Sequence, residues 1–173
     1  MNTAHIHHTR RAFATTFARL LVGMLFALAL AGETKTAFAA QTTDAMLDAY
    51  VSGLNARMPP KGDPATVPEL FAEDGVHYHP FGEPPGGPLR GREALKGFFG
   101  GFKDAWADWT HVEKRHTIAG RRAVWEGVAQ GTHRQSGKFA KLPIVFIIDF
   151  DESGHVKEKT VYVDLHLIAE QVY

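Results

Sequence analysis

The spacing of apolar side chains divides this chain into helices followed by long strands. Between Thr43 and Met58, the residues Met46, Leu47, Tyr50, Val51 and Leu54 fall at i, i+1, i+4, i+5 and i+8. That is one face of a helix, with Thr43 or Asp44 as its cap. Pro59-Pro60-Lys61-Gly62-Asp63-Pro64 breaks it. A short helix over Ala65–Ala72 presents Val67, Leu70 and Phe71. After the turn Glu73-Asp74-Gly75 comes a short strand, Val76-His77-Tyr78-His79, stopped by Pro80. Leu95, Phe98, Phe99, Phe102 and Trp106 form an apolar stripe that predicts a second long helix over Arg92–Trp109.

Four strands complete the pattern: Thr110–Ile118, Ala123–His133, Lys138–Phe150 and His155–Ile168. Gly120-Arg121-Arg122 and Asp151-Glu152-Ser153-Gly154 read as hairpin turns. Helices first and an antiparallel meander afterwards predict an α+β fold. A strongly curved antiparallel sheet would wrap around the helices as a cone-shaped α+β barrel. The run Ile144-Val145-Phe146-Ile147-Ile148 is apolar at both parities, so both faces of that strand are expected to be covered. A homodimer would cover the outer one. The loop Gly82–Gly91 is either a pocket cover or a plain connector.

The N-terminus assigns a compartment. Arg10 and Arg11 precede an apolar run, Leu20 to Ala31, that is short for a bilayer span, and Ala37-Phe38-Ala39 supplies small residues two apart. Residues 1–40 are expected to be a signal peptide cut after Ala39 or Ala40. Thr9-Arg10-Arg11-Ala12-Phe13 also resembles a twin-arginine export signal. The protein is then periplasmic or secreted, with no stable membrane insertion after cleavage, and residues 41–173 form a single domain. Removing the first 40 residues takes away four of the 19 basic residues and one of the 19 acidic ones, leaving a formal charge of −3. That balance argues against nucleic acid or anionic lipid as a partner. The absence of cysteine excludes disulfides, thiolate metal sites and cysteine nucleophiles. No Gly-x-Ser-x-Gly elbow and no glycine-rich phosphate loop is present.

Four segments, in this order and spacing, carry a family resemblance: Leu89-Arg90-Gly91-Arg92-Glu93-Ala94-Leu95, Gly131-Thr132-His133, Gly154-His155-Val156 with Glu158, and Val161-Tyr162-Val163-Asp164. Together they resemble SnoaL-like (polyketide cyclase-like) domains of the nuclear transport factor 2-like superfamily, over nearly all of residues 41–173. The resemblance implies a pocket within a curved sheet. It also implies a pocket aspartate as general acid/base, since the cyclases use one and related ketosteroid isomerases use carboxylates. Asp164 falls where the cyclases' strand aspartate lies. The segment around His79 borders the cavity in such proteins.

Asp164 is a candidate on physical grounds too. Set among Val161, Val163 and Leu165, its carboxylate would be desolvated and raised towards neutral pH, as a general base requires. The alternative is a structural aspartate at a strand end. Alternation puts Tyr162 and His166 on the same face, Tyr162 as a donor to an oxyanion and His166 as a relay or a plain surface residue. Asp164, Tyr162 and His79 are thus the expected catalytic residues. Tyr78, Trp125, His133 and Phe99 are the expected substrate contacts. Trp125 and His133 flank Gly127, Ala129 and Gly131, whose small size leaves room for a ligand or for a closely packed helix. His77, His79 and Glu83 spell His-x-His-x-x-x-Glu, a fragment of a metal motif, but its companion motif is missing, so no metal and no cofactor is expected. The expected function is a pocket for a small apolar molecule, either an isomerase, cyclase or hydratase acting on a carbonyl substrate or a non-catalytic binding module.

Overall fold

The computed structural model describes residues 43–82 and 86–173. The expected leader lies outside them, as does Glu83. Helix α1 covers 43–57 and buries Leu47, Tyr50 and Leu54, with Met58 just beyond it. The spacing of three to four residues keeps these side chains on one face, and the diproline ends the helix because proline lacks the N–H that would continue the ladder. A 3-10 helix, Pro64–Leu70, follows, with Asp63 accepting a hydrogen bond from the Ala65 amide at its start.

The remaining elements are β1 (Phe71–Tyr78), β2 (Pro88–Arg90), α2 (Gly91–Gly100), α3 (Phe102–Ala105), β3 (Thr110–Ala119), β4 (Arg122–Thr132), β5 (Phe139–Phe150), β6 (Val156–Val163) and α4 (Leu165–Val172). The six strands form one open sheet in the order β2-β1-β6-β5-β4-β3. The fold is α+β with a curved sheet around helices, as expected. The sheet is mixed, however: β1 runs parallel to β6, and every other pairing is antiparallel.

Three boundaries differ from the sequence pattern. The predicted helix Arg92–Trp109 stops at Gly100, whose successor Gly101 begins a new turn, and Trp106 is already extended and bridged to His133. The first strand begins at Phe71, five residues earlier than Val76, and absorbs Gly75 in an irregular stretch of pairing. The last strand stops at Val163, because the Asp164 side chain accepts hydrogen bonds from the amides of His166 and Leu167 and starts helix α4. An aspartate in extended conformation with free amides two and three residues ahead is a preferred helix start.

The core lies on the concave face. Alternate residues of β5, Ala140, Leu142, Ile144, Phe146, Ile148 and Phe150, point into it, together with Trp125 and Ala129 of β4. Burying each large apolar side chain contributes roughly 1.5–3 kcal/mol. Asn55 ties α1 to β3: its amide donates to the His111 carbonyl (2.9 Å) and its oxygen accepts from the His111 N–H (2.8 Å). Gln171 ties α4 to β5 in the same two-way manner through the backbone of Lys141.

The small residues of β4 have a clear use. A methyl at Gly127 would strike the Trp125 ring and the Val112 carbonyl oxygen, and one at Gly131 would strike the Asp108 carbonyl and the Trp109 ring. The expected free space is therefore filled by indoles and by the neighbouring strand, neither a ligand nor a helix. The outer face of β5 is only half covered within one chain, at Val145 and Ile147.

Candidate functional site

The open end of the cone holds a pocket of about 330 Å³. Phe98 and Phe102 floor it, Trp106 and His133 form one wall, and Leu165, Ile168, Val172 and Tyr173 of the C-terminal segment form the other. Below the two phenylalanines lies an inner chamber of about 30 Å³. It has room for a water or two. Phe98 and Phe102 belong to both spaces, so they are the partition between them.

The inner chamber is polar at its centre and aromatic around it. Lys159 reaches it from β6, His77 from β1, His79 from just beyond the end of β1, and His111 from β3. Tyr50, from α1, joins it through Lys159. The strand register explains the grouping: His77 is paired with Lys159, and Lys159 with Ile148, so these three side chains share the inward face. Lys159 is 2 % exposed. Its Nζ donates to Tyr50 Oη at 2.8 Å and stands 3.7 Å from the centre of the Phe146 ring. Among the described residues no carboxylate pairs with it.

Burial without a counter-ion disfavours the ammonium, and holds the Lys159 pKa down to about 7. The same burial, reinforced by the Lys159 charge, lowers His79 and His111 to about 3 each. His77 is also held well below its ordinary range, by burial first and then by Lys159 and His79, against a small opposing effect of the Lys159 backbone. Burial pushes the Tyr50 phenol up. At neutral pH the chamber thus contains neutral imidazoles, a neutral phenol and a lysine near its titration midpoint.

The imidazoles differ in their bonding. His111 Nε2 accepts from Trp109 Nε1 (3.3 Å), which leaves Nδ1–H to donate to Asn55 Oδ1 (3.0 Å). His79 Nδ1 accepts from the Phe81 amide at 3.2 Å, so its proton sits on Nε2. His77 stacks on Phe99 with ring centres 5.3 Å apart, and neither of its ring nitrogens has a hydrogen-bond partner. A buried unpaired polar atom costs about 1–3 kcal/mol. His77 therefore marks a place where a partner is missing.

The expected site residues separate into four places. His79 and Phe99 line the inner chamber, and His133 lines the mouth. Trp125 is fully buried and stacked on Phe146, with ring centres 4.9 Å apart, so it is core and no substrate contact. Tyr162 is 57 % exposed on the outer face, where it and Tyr78 border an open depression of about 400 Å³ that shares His79 and Val161 with the inner chamber. Asp164 is exposed and occupied as the cap of α4, so the desolvation that made it a candidate base is absent. His166 is a surface residue, 3.1 Å from Glu170 one helical turn on. Sequence reasoning missed Lys159, His111 and Tyr50, and reached His77 only through the metal pattern. Among the described residues no group of three or more histidines and carboxylates is arranged to hold a metal ion.

A curved mixed sheet closed over by helices, with its pocket at the open end, defines the nuclear transport factor 2-like class. Within it the chain belongs to the SnoaL-like domain family, whose model matches residues 47–159. Solved structures share the fold at low identity. One is a protein of ketosteroid isomerase-like fold from Catenulispora acidiphila, solved in complex with trimethylamine, at 18 % identity, covering 71 % of this chain and 91 % of its own, TM-score 0.61. Another is a protein named as a SnoaL-like polyketide cyclase from Jannaschia, at 14 % identity, covering 76 % and 92 %, TM-score 0.63. A third is a phenazine biosynthesis-related protein from Pseudomonas aeruginosa, at 14 % identity, covering 77 % and 84 %, TM-score 0.62. No curated protein matches the chain.

Proposed function

We propose that this protein is an exported SnoaL-like enzyme that moves a proton next to the carbonyl group of a small apolar substrate, in an isomerisation, cyclisation or hydration. The observation that carries this is Lys159, a buried amine with no carboxylate partner among the described residues, at the bottom of an aromatic cone. The apolar body of the substrate occupies the mouth, and its carbonyl oxygen enters the chamber. Lys159, which Tyr50 holds by a hydrogen bond, polarises that oxygen, and a donor fixed in a dry site stabilises developing negative charge strongly. The neutral imidazole of His77, whose ring nitrogens are unpartnered, takes the proton from carbon. The pocket aspartate of the family resemblance has no part in this scheme, because Asp164 lies outside the cone.

The test is deuterium exchange, followed by NMR, at the carbon next to the carbonyl of a panel of ketones that starts with cyclohexanone. The protein should accelerate exchange, and Lys159→Met should remove at least 100-fold of that acceleration, the scale of one acid–base group. Binding of the same ketones without exchange would turn the assignment to the second reading, a binding module. The small inner chamber, about 30 Å³, favours that reading, since it admits no ligand unless Phe98 or Phe102 moves.

Two further parts of the proposal rest on the sequence. Export rests on Arg10-Arg11 and the apolar run after them. Self-association rests on the outer sheet face, where Val112 and Tyr162 are 47 % and 57 % exposed beside half-buried Val145 and Ile147. Light scattering should find a dimer at micromolar concentration, and a monomer would remove this part.

A further inference from the structure

We infer that Lys159 acts on its carbonyl substrate covalently, its Nζ adding to the carbonyl carbon to form an imine. The inference rests on the carbonyl reading above and goes beyond it, because hydrogen bonding alone would leave every bond of the lysine intact.

The geometry supplies what the chemistry needs. A lysine nucleophile must be unprotonated, and enzymes achieve this by desolvation. Lys159 is buried against the Phe146 face and the Tyr50 hydroxyl. With one N–H given to Tyr50, the nitrogen lone pair is uncommitted. The side chain shares the inward face with His77, whose ring nitrogens are both unpartnered. Its other neighbours around the chamber are aromatic or aliphatic, Phe98, Phe99, Ile144 and Val161, which exclude the water that would hydrolyse an imine.

The step balances without an oxidant or reductant. The nitrogen lone pair forms the N–C bond as the carbonyl π electrons move to oxygen, and one of the two amine protons passes to that oxygen. The resulting hydroxyl leaves as water with a second proton drawn from solvent, and the nitrogen lone pair completes the iminium. The positive nitrogen draws electrons from the neighbouring C–H bond, so the unpartnered ring nitrogen of His77 takes that proton and an enamine forms. Protonation at carbon and readdition of water release the product and the free amine.

The titratable groups facing Lys159 are Tyr50 from α1, His77 from β1, His79 just beyond β1 and His111 from β3; α2 and β5 present none to the chamber. All four stay neutral between pH 6 and 8, the imidazoles because they are held low and the phenol because it is pushed up. The pH dependence of imine formation over that range therefore reports Lys159 alone. At pH 7 about half of Lys159 is free amine, against roughly one part in a few thousand for an exposed lysine.

The experiment is reductive trapping on the intact protein. Acetaldehyde and cyclohexanone, one that needs the least displacement of Phe98 and Phe102 to reach the chamber and one sized for the mouth, are added in limiting amounts with sodium cyanoborohydride between pH 6 and 8. Peptide mass spectrometry locates the secondary amine. The expected result is an adduct on Lys159 roughly a thousandfold faster than on surface lysines, rising with a midpoint near pH 7, and absent in Lys159→Met. The N-terminal α-amine, the other group substantially free at that pH, is the control that the reagents work. An α-amine adduct with none on Lys159 from either probe overturns the inference. If ketone deuterium exchange persists in that case, the carbonyl reading survives without the imine. If exchange is absent too, both fall.

Discussion

Replacing Lys159 by methionine should stabilise the protein, and by an amount that depends on pH. Methionine keeps the length of the stem and removes the amine. The unfolded lysine titrates near 10.5 and the folded one near 7. Between those values the unfolded chain binds more protons than the folded one, so wild-type stability rises with pH across the window, and the penalty is complete below about pH 7. Each pH unit between the two values is worth about 1.4 kcal/mol, which sets the full penalty at about 5 kcal/mol. Worked through the titration curves, it falls from roughly 5 kcal/mol at pH 6.5 to roughly 1 kcal/mol at pH 9.5. The Phe146 face opposes this by favouring the ammonium, by up to about 2 kcal/mol in a desolvated site. The wild type should therefore gain roughly 1–3 kcal/mol on Lys159→Met between pH 6.5 and 9.5. Urea unfolding at a series of pH values measures it, with Tyr50 and the histidines common to both proteins. Parallel stability curves would show that Lys159 keeps its proton on folding. The free amine, and the covalent chemistry built on it, would then fail.

Three other outcomes follow from the same structure. His79 and His111 are held down to about 3 when folded against 6.5 when free; the unfolded chain takes up protons first as pH falls, so the two together remove roughly 3 kcal/mol of stability per pH unit below 6.5. With His77 acting in the same direction and a total stability of roughly 5–15 kcal/mol, circular dichroism should show unfolding before pH 3, and a folded protein at pH 3 would refute the neutral-imidazole chamber. Asp164→Ala should cost about 1 kcal/mol by uncapping α4, whereas Asp164→Asn, an equally good cap, should be near neutral; a tenfold loss of ketone exchange in the asparagine variant would return Asp164 to the site. Gly127→Ala should cost about 1–3 kcal/mol by overpacking against Trp125, while Gly97→Ala, which meets nothing on α2, should stabilise by up to about 1 kcal/mol; thermal melts of the pair test the close strand packing.

The fold was legible where long apolar patterns dictate it. The face of α1, the aromatic stripe of α2 and the alternation of β5 all point to the core they build. The shorter decisions were not. Helix α2 ends at Gly100 although the apolar spacing continues to Trp106: a second short helix follows, and the chain turns extended at Trp106, where it bridges to His133. Helix α4 is only eight residues long, and its start depends on the Asp164 side chain bonding two amides, a local competition that an apolar strand pattern conceals. His79, Phe99 and His133 were legible as site residues because the family resemblance and the aromatic stripe place them near the cavity. Lys159 was not, since a lysine among Lys157, Glu158 and Thr160 looks like a solvated strand. The available signal was its parity with Val161 and Val163.

Asp164 looked attractive because its neighbours Val161, Val163 and Leu165 are apolar. Val156 is fully buried, and simple alternation carries its face through Glu158, Thr160 and Tyr162 to Asp164. The pairing of β6 with β5 is irregular at this point: Phe150 faces Val156 but Asp149 faces Glu158, so β6 carries one residue more than its partner. The extra residue is a bulge, and a bulge reverses the faces of everything beyond it. Beyond it Lys159, Val161 and Val163 turn inward, and Tyr162 turns out. The same shift brings Lys159 beside His77 across the single parallel pairing in the sheet. One additional residue in β6 thus decides which polar side chain enters the cone. It takes a tyrosine and an aspartate out of the candidate site and puts in their place a lysine whose lone charge no neighbour among the described residues balances.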